Sequence, residues 1–448
     1  MALKLQNESV PWLVLVVLVP VALWSGRFIA VDTSSAAGYF ILLPLLLAFS
    51  VPFLIFGGAD ATQRSYAVRL FVFALLLRVA LAAVTTAFID PNAVAPDQVR
   101  YHYAGTFLAQ EWHGEIEGPP SWFMNPGNLY YIFVGSIYYV FGSSMLLPKL
   151  VNAVAGALAV VGLFRIAGRI ATQRAALLAG VFAALCPSLT LWSALAIRDA
   201  LVVLGLVLCF DAVLDWSERK RLSAWLMLAF GVFLVATLRD YLANILLASL
   251  ALAAIAGQGK VISPRRFLVS ISILVLLVIV LREMGIVEPL VEQVSLEGLE
   301  SARQKLAIGG SAFGAGSSVG SLGSALLHLP IGIAYFLLAP FPWSVESNLQ
   351  FAALPEVFLW YGLVPFVIIG IKRAFEQHAT RLASLFMFVT TVTLTYSLVE
   401  GNVGTAYRHR AQVLIFFLAF AGIGVDVFME RRARSRSRGS LTQPAALQ

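Results

Sequence analysis

One stretch, residues 95–112 ("APDQVRYHYAGTFLAQEW"), gathers an arginine, a histidine, two tyrosines and two acids inside a very hydrophobic chain. Asp97 is the residue best suited to chemistry, because a carboxylate can act as a general base toward a hydroxyl or an amine. Tyr101 lies four positions on, which puts it on the same face as Asp97 if the piece is helical, and His102 follows it. Pro96 suits a helix start, and an acid in the first turn complements the helix dipole. The run "YAGTFLAQEW" then offers Ala, Phe, Leu and Trp to a membrane surface. The stretch therefore reads as an amphipathic helix with its acid facing inward. Asp97 is the catalytic candidate, Tyr101 and His102 support it, and Glu111 and Trp112 end the helix. The plainer alternative is an acid in a solvated loop.

A second set of residues could hold an anion. Arg198 and Asp199 form "IRDA", Arg239 and Asp240 form "LRDY", and Arg408, His409 and Arg410 form "YRHR"; Lys149 stands near the end of an apolar run. Arginine recognises phosphate bidentately, so a ring of such groups at the outer membrane surface suits a lipid-linked phosphate or pyrophosphate. The substrate-binding candidates are Tyr101, His102, Lys149, Arg198, Asp199, Arg239, Arg408 and Arg410. The plainer explanation is pairing within each motif, or snorkelling to headgroups. Around Asn402, "EGNVGT" reads either as a turn presenting amide groups to an anion or as an ordinary loop. Glu346 is a second candidate acid, and Trp343 in "PFPW" reads as a membrane anchor. His113 and His328 lack partners at metal-ligand spacing, so no cofactor is assigned and a divalent metal stays open. Cys186 and Cys209 read as inert packing residues. No phosphate-loop, dinucleotide-binding or serine-hydrolase signature is present, which argues against an ATP-driven pump.

The elements that must position these groups follow from composition. Of 448 residues, 60% are hydrophobic and 12% charged, where a soluble domain carries roughly 25% charged. With a mean hydropathy of +0.86 and continuous rather than alternating apolar runs, the chain reads as an all-α polytopic membrane protein. About twelve spans are expected, near 11–30, 38–57, 66–88, 144–165, 175–193, 199–215, 222–238, 241–257, 267–282, 355–371, 382–398 and 411–428. The first reads as a retained helix rather than a cleaved signal. Short loops rich in Arg and Lys, together with the tail "RRARSRSR", fall on one side if the spans alternate, which makes that side cytoplasmic and puts both termini inside. The net charge of +7 is thereby a topology signal rather than a mark of nucleic-acid binding. Residues 1–430 form a single transmembrane domain with two large outer loops, 89–143 and 283–354, and 431–448 form a basic cytoplasmic tail expected to be disordered. Interfacial helices are expected in both loops: the tyrosine-rich "NPGNLYYIFVGSIYYVFG", and residues 326–339, which could also be re-entrant. The Gly/Ser-rich "GGSAFGAGSSVGSLGS" reads as a flexible loop or lid.

The stretch "PDQVRYHYAGTFLA" resembles the acid-bearing motif in the first outer loop of GT-C superfamily membrane glycosyltransferases, which include protein O-mannosyltransferases and aminoarabinose transferases. "NPGNLYYIFVGSIYYVFG" resembles their interfacial helix, and "LPKLVNAVAGALAVVGLFRIAGRI" with "RAALLAGVFAALCPSL" resembles the next two spans, so the likeness covers roughly residues 66–260. It implies a periplasmic active site, a polyprenyl-phosphate sugar donor and Asp97 as catalytic base or acceptor-orienting acid. The departures are Gln98 where many members carry a second acid, Asn125-Pro126-Gly127 before "LYY", two extra helices ahead of the usual first span, and no large soluble C-terminal domain.

The expected function is transfer of a sugar from a polyprenyl-phosphate or -diphosphate carrier to a glycan, lipid or protein acceptor of the cell envelope. The expected place is a bacterial inner membrane, with the active site outside and with membrane lipids, not nucleic acid, as partners. A polysaccharide polymerase or ligase acting on lipid-diphosphate-linked glycans is a second reading. A lipid or sugar transporter is a third, less suited because most charges lie at helix ends and no internal repeat is visible.

Overall fold

A computed structural model describes residues 33–56, 61–118, 129–256, 295–307, 311–313 and 319–441. The expected spans 11–30 and 267–282, the Asn125-Pro126-Gly127 turn and residues 309–310 and 314–318 of the glycine-rich stretch lie outside the described residues. Among the described residues the protein is built from helices, with one isolated β-bridge between Ala312 and Asn402. In chain order these are α1 (Thr33–Phe56), α2 (Ala61–Ala87), α3 (Pro91–Val94), α4 (Asp97–Trp112), α5 (Tyr130–Phe141) and α6 (Leu146–Ile170). Then come α7 (Gln173–Leu185), α8 (Pro187–Ser193), α9 (Asp199–Arg219), α10 (Leu222–Leu238) and α11 (Asp240–Ala256). The last six are α12 (Leu296–Leu306), α13 (Leu322–Leu338), α14 (Asn348–His378), α15 (Ala383–Val399), α16 (Val403–His409) and α17 (Ala411–Leu441).

Among the described residues α2, α6, α9, α14 and α17 are long and apolar enough to cross a membrane. α7 and α8 make a further span if the pair, bent by 59°, is one. The break falls at Pro187, which has no N–H to continue the ladder and disfavours helical geometry in the residue before it. Shorter apolar helices occur within α1, α5, α10, α11, α13 and α15. The protein is thus a helical, multi-pass membrane protein. The segment expected to be interfacial or re-entrant at 326–339 is one continuous helix, α13, carrying Pro330 within it. The basic tail differs from expectation: α17 runs on through "RRARSRSR" to Leu441. Ala and Arg favour helix, and Glu430 stands one turn before Arg434, which pairs with it at 3.9 Å.

The chain divides into two compact units, the first made of residues Met1–Gly162 with Ala184–Leu247 and the second of Leu163–Ala183 with Ala248–Gln448. In the first, α4 lies on α5 through two glycines. A Cβ on Gly105 would fall 2.4 Å from the Val134 side chain, and one on Gly135 would fall 2.9 Å from Leu108. Close approach of this kind is what small residues permit between apolar helices, where dispersion contacts rather than a hydrophobic difference drive packing. α9 is buried along nearly its whole length and turns back into α10 at Lys220, a left-handed residue. In the second unit α14 and α17 pack in the same way, Gly370 against the Phe420 carbonyl and Gly424 against the Phe366 carbonyl.

Candidate functional site

In the first unit, Asp97 is half-buried in the first turn of α4, after Pro96 as N-cap, and Tyr101 lies buried one turn on. The turn is held by the residue next to Asp97. Gln98 is buried; its Oε1 accepts the Ala196 N–H at 3.2 Å, and its Nε2 donates to the Pro91 and Ala95 carbonyls, each at 3.4 Å. An amide both donates and accepts, while an ionised carboxylate only accepts. The departure from a second acid at this position therefore has a local reason.

The same loop is gripped from another helix. Asn152 of α6, fully buried, donates its two Nδ2 hydrogens to the Leu195 carbonyl at 2.6 Å and the Ile197 carbonyl at 2.7 Å, and the same nitrogen lies 3.1 Å from the Tyr130 hydroxyl. Tyr130 in turn meets Tyr101 edge-on at 4.7 Å. The Asp97 turn and the 195–197 loop, which leads into Arg198 and Asp199, are thus tied together twice.

The acid–arginine pairing runs across elements rather than between neighbours in one motif. Arg198 donates to the Leu238 carbonyl at 2.8 Å. Arg239 holds Asp199 at 2.8 Å, both buried, and reaches the Tyr241 hydroxyl at 2.6 Å. Adjacent helical residues do not face each other, which disfavours the pairing within each motif. Lys149, also buried, donates to the Thr86 and Thr85 hydroxyls at 2.9 and 3.2 Å. His102 meets the Tyr138 hydroxyl through Nδ1 at 2.9 Å, and burial lowers its pKa, which favours the neutral ring.

Some of these groups influence Tyr131. Burial is the main influence raising the Tyr131 phenol pKa; Arg100 and Arg198 oppose it, and Tyr101 and Asp97 add to it. Arg100 also lies over the Tyr131 ring, 5.9 Å from its centroid. Tyr101 packs against the same buried ring at 5.1 Å, so Tyr131 sits between Arg100 and Tyr101, with Asp97 and Arg198 as further charges that influence its hydroxyl. Arg198 keeps its Nε without a hydrogen-bond partner among the described residues. Such a set offers a proton acceptor and fork-like donors for an anion. Tyr131, Arg100 and Asn152 escaped the sequence reading, although Asn152 was visible as a lone amide in an apolar run.

In the second unit the "YRHR" cluster is knitted into its surroundings. Arg410 is fully buried, donates to the Leu337 and Ala339 carbonyls at 2.9 Å each, and lies 3.9 Å from Glu356. It satisfies carbonyls at the end of α13 that no helical N–H reaches. Arg408 is half-buried. His409 pairs through Nδ1 with Glu400, which is fully buried and also accepts from Thr405 at 2.6 Å. Asn402 is the N-cap of α16, and its side chain takes the Gly404 and Thr405 amides, while the Val403 amide goes to the Ser311 carbonyl. Of the two readings left open for this stretch, the amides are taken up by the Asn402 side chain and by Ser311.

Glu346 and Trp343 are exposed. His113 stacks on Tyr139, and His328 meets Arg303 at 2.6 Å. Among the described residues no group of three or more His, Cys, Asp or Glu gathers at metal-binding distance.

Comparison with known proteins adds a family likeness. Residues 128–282 match the family described as dolichyl-phosphate-mannose-protein mannosyltransferase. The chain is thus similar over this stretch to membrane glycosyltransferases of the GT-C type. The match includes Lys149, Arg198, Asp199 and Arg239 and begins after Asp97. No curated protein matches the chain. Among solved structures, the archaeal oligosaccharyltransferase AglB from Archaeoglobus fulgidus, in complex with an inhibitory peptide and a dolichol-phosphate, aligns with a TM-score of 0.46 at 12% identity. The alignment covers 87% of this chain and 53% of that one, so the chain spans about half the length of that enzyme.

Proposed function

We propose that the protein is a membrane glycosyltransferase that moves a sugar from a polyprenyl-phosphate or -diphosphate carrier to a cell-envelope acceptor. The observation that carries this reading is the tie between the Asp97 turn and the loop leading into Arg198 through Gln98, with Arg100 and Tyr101 packed on Tyr131, beside a stretch similar to a lipid-phosphate-dependent mannosyltransferase family. In it, Asp97 takes the proton of the acceptor hydroxyl or orients it. Arg198 holds the leaving phosphate, whose developing charge a fixed guanidinium stabilises. Tyr101, His102, Asp199, Arg239 and Lys149 position these groups. Arg408 and Arg410, in the second unit, are proposed separately as substrate-binding residues.

The reading includes residues 1–430 as one transmembrane domain of about twelve spans. α4 and α5 lie at the interface in an outer loop, both termini are cytoplasmic, and the active site faces outward across a bacterial inner membrane. Asp97→Asn tests the core of it. With purified protein in detergent and a polyprenyl-phosphate-linked sugar, transfer should fall by roughly 10²–10⁴-fold, the usual contribution of a general base. Full transfer by the variant would remove Asp97 from its role. Passage of the lipid across vesicles without any transfer by the native protein would put a transporter in place of an enzyme.

A further inference from the structure

Where α6 and α14 end against the middle of α17, the second unit forms a cleft of about 380 Å³. Its wall includes Asp426, sixteen positions beyond Arg410, which places it about 24 Å along α17 from the "YRHR" cluster. Arg169, in the last turn of α6, and Arg373, near the end of α14, line it from two different helices. Their forks are suited to sharing the oxygens of one phosphate. The acid in the wall does not oppose an anion at full strength. Asp426 accepts from the Thr172 hydroxyl at 2.6 Å through one oxygen and pairs with Arg174 at 3.5 Å through the other. Glu430, at the rim, lies 3.9 Å from Arg434. Ile170, Ile423 and Val427 add an apolar side to the cleft.

All three helices qualify as membrane spans, and Arg169 and Arg373 stand in the polar ends of α6 and α14, the part of a span that meets the headgroup layer. Basic clefts between spanning helices at that level recognise lipid headgroups. The apolar wall favours a lipid, whose glycerol backbone would cover it, over a free phosphate ion. We propose that this cleft binds the phosphate headgroup of a membrane phospholipid, with Arg169 and Arg373 donating to the phosphate. The proposal does not depend on the transfer reaction.

The test uses purified full-length protein in detergent, with phosphatidylglycerol as the probe and inorganic phosphate as the comparison. Lipid adducts are counted by native mass spectrometry, and stabilisation is followed by thermal unfolding. The lipid should remain bound and raise the unfolding temperature of the native protein and of Lys372→Gln, a neighbouring exposed cation outside the cleft lining. Arg169→Gln with Arg373→Gln should weaken lipid binding by about tenfold or more, as expected when charge-assisted hydrogen bonds are lost. If the double variant does not fold, Arg373→Gln alone, at an exposed position, carries the same test with a smaller loss. Equal loss in Lys372→Gln, undiminished lipid binding in the arginine variants, or equal stabilisation by inorganic phosphate would each overturn the proposal.

Discussion

The buried amide of Gln98 donates to two carbonyls and accepts from one amide, and this double role separates it from the acid that related motifs place there. Gln98→Glu keeps the shape and the acceptor but, when ionised, removes the donor and points negative charge at the Pro91 and Ala95 carbonyls. The cost is about 1–3 kcal/mol for leaving buried polar groups unpaired. The folded-state pKa of the new acid is raised above its unfolded value, because the protonated form restores the donor. Its stabilising contribution is then present below the unfolded pKa and lost as pH rises through the folded one. Thermal unfolding of Gln98→Glu should therefore approach that of the native protein at acid pH and fall below it near neutrality. A pH-independent difference would argue against the donor role. From sequence, Gln98 shows only as a departure from a pattern, because its partners Pro91 and Ala196 are set by how the chain folds back. Asp97 and Tyr101 were legible because both lie on one helix, where spacing alone decides which face a residue takes.

Helix α4 shows how far an element can be read. Pro96, the acid at the first position and the final Trp112 mark both ends of the helix found, Asp97–Trp112. The pairing of α4 with α5 was not legible, since Gly105 and Gly135 look ordinary in an apolar run. The arginine pairings were missed for a related reason: Arg198 and Asp199 sit side by side in sequence, yet their partners come from the end of α10 and the start of α11. Because α5 brings Tyr130 and Tyr131 to Tyr101, its seat on α4 should control the site. Gly135→Leu forces a side chain into Leu108 and Trp112, and overpacking of this kind costs about 1–3 kcal/mol. The variant should unfold at lower temperature and lose transfer, whereas Gly323→Ala, a glycine with open space around it, should do neither. Equal behaviour of the two variants would show that the close α4–α5 contact does not organise the site.

At the scale of the whole molecule the positive loops and the apolar runs made the helical, multi-pass character readable before any coordinates, because both follow from the solvent rather than from specific contacts. Which side each loop faces is a separate proposition, and it decides whether Asp97 meets an envelope acceptor or a cytoplasmic one. Cys186 and Cys209 are both buried, so the native protein should give little background with a membrane-impermeant thiol reagent. Lys220, at the turn between α9 and α10, and Ser344, after α13, are both exposed and fall on opposite sides in the proposed topology. In intact cells Ser344→Cys should react and Lys220→Cys should not; after permeabilisation both should react. Tyr103→Cys, on the exposed side of α4, should behave like Ser344→Cys, since it reports on the helix that carries Asp97. Reaction of Lys220→Cys alone in intact cells would turn the protein over, and with it the acceptor. Reaction of Ser344→Cys without Tyr103→Cys would separate α4 from the outer face and leave Asp97 without access to an outward-facing hydroxyl.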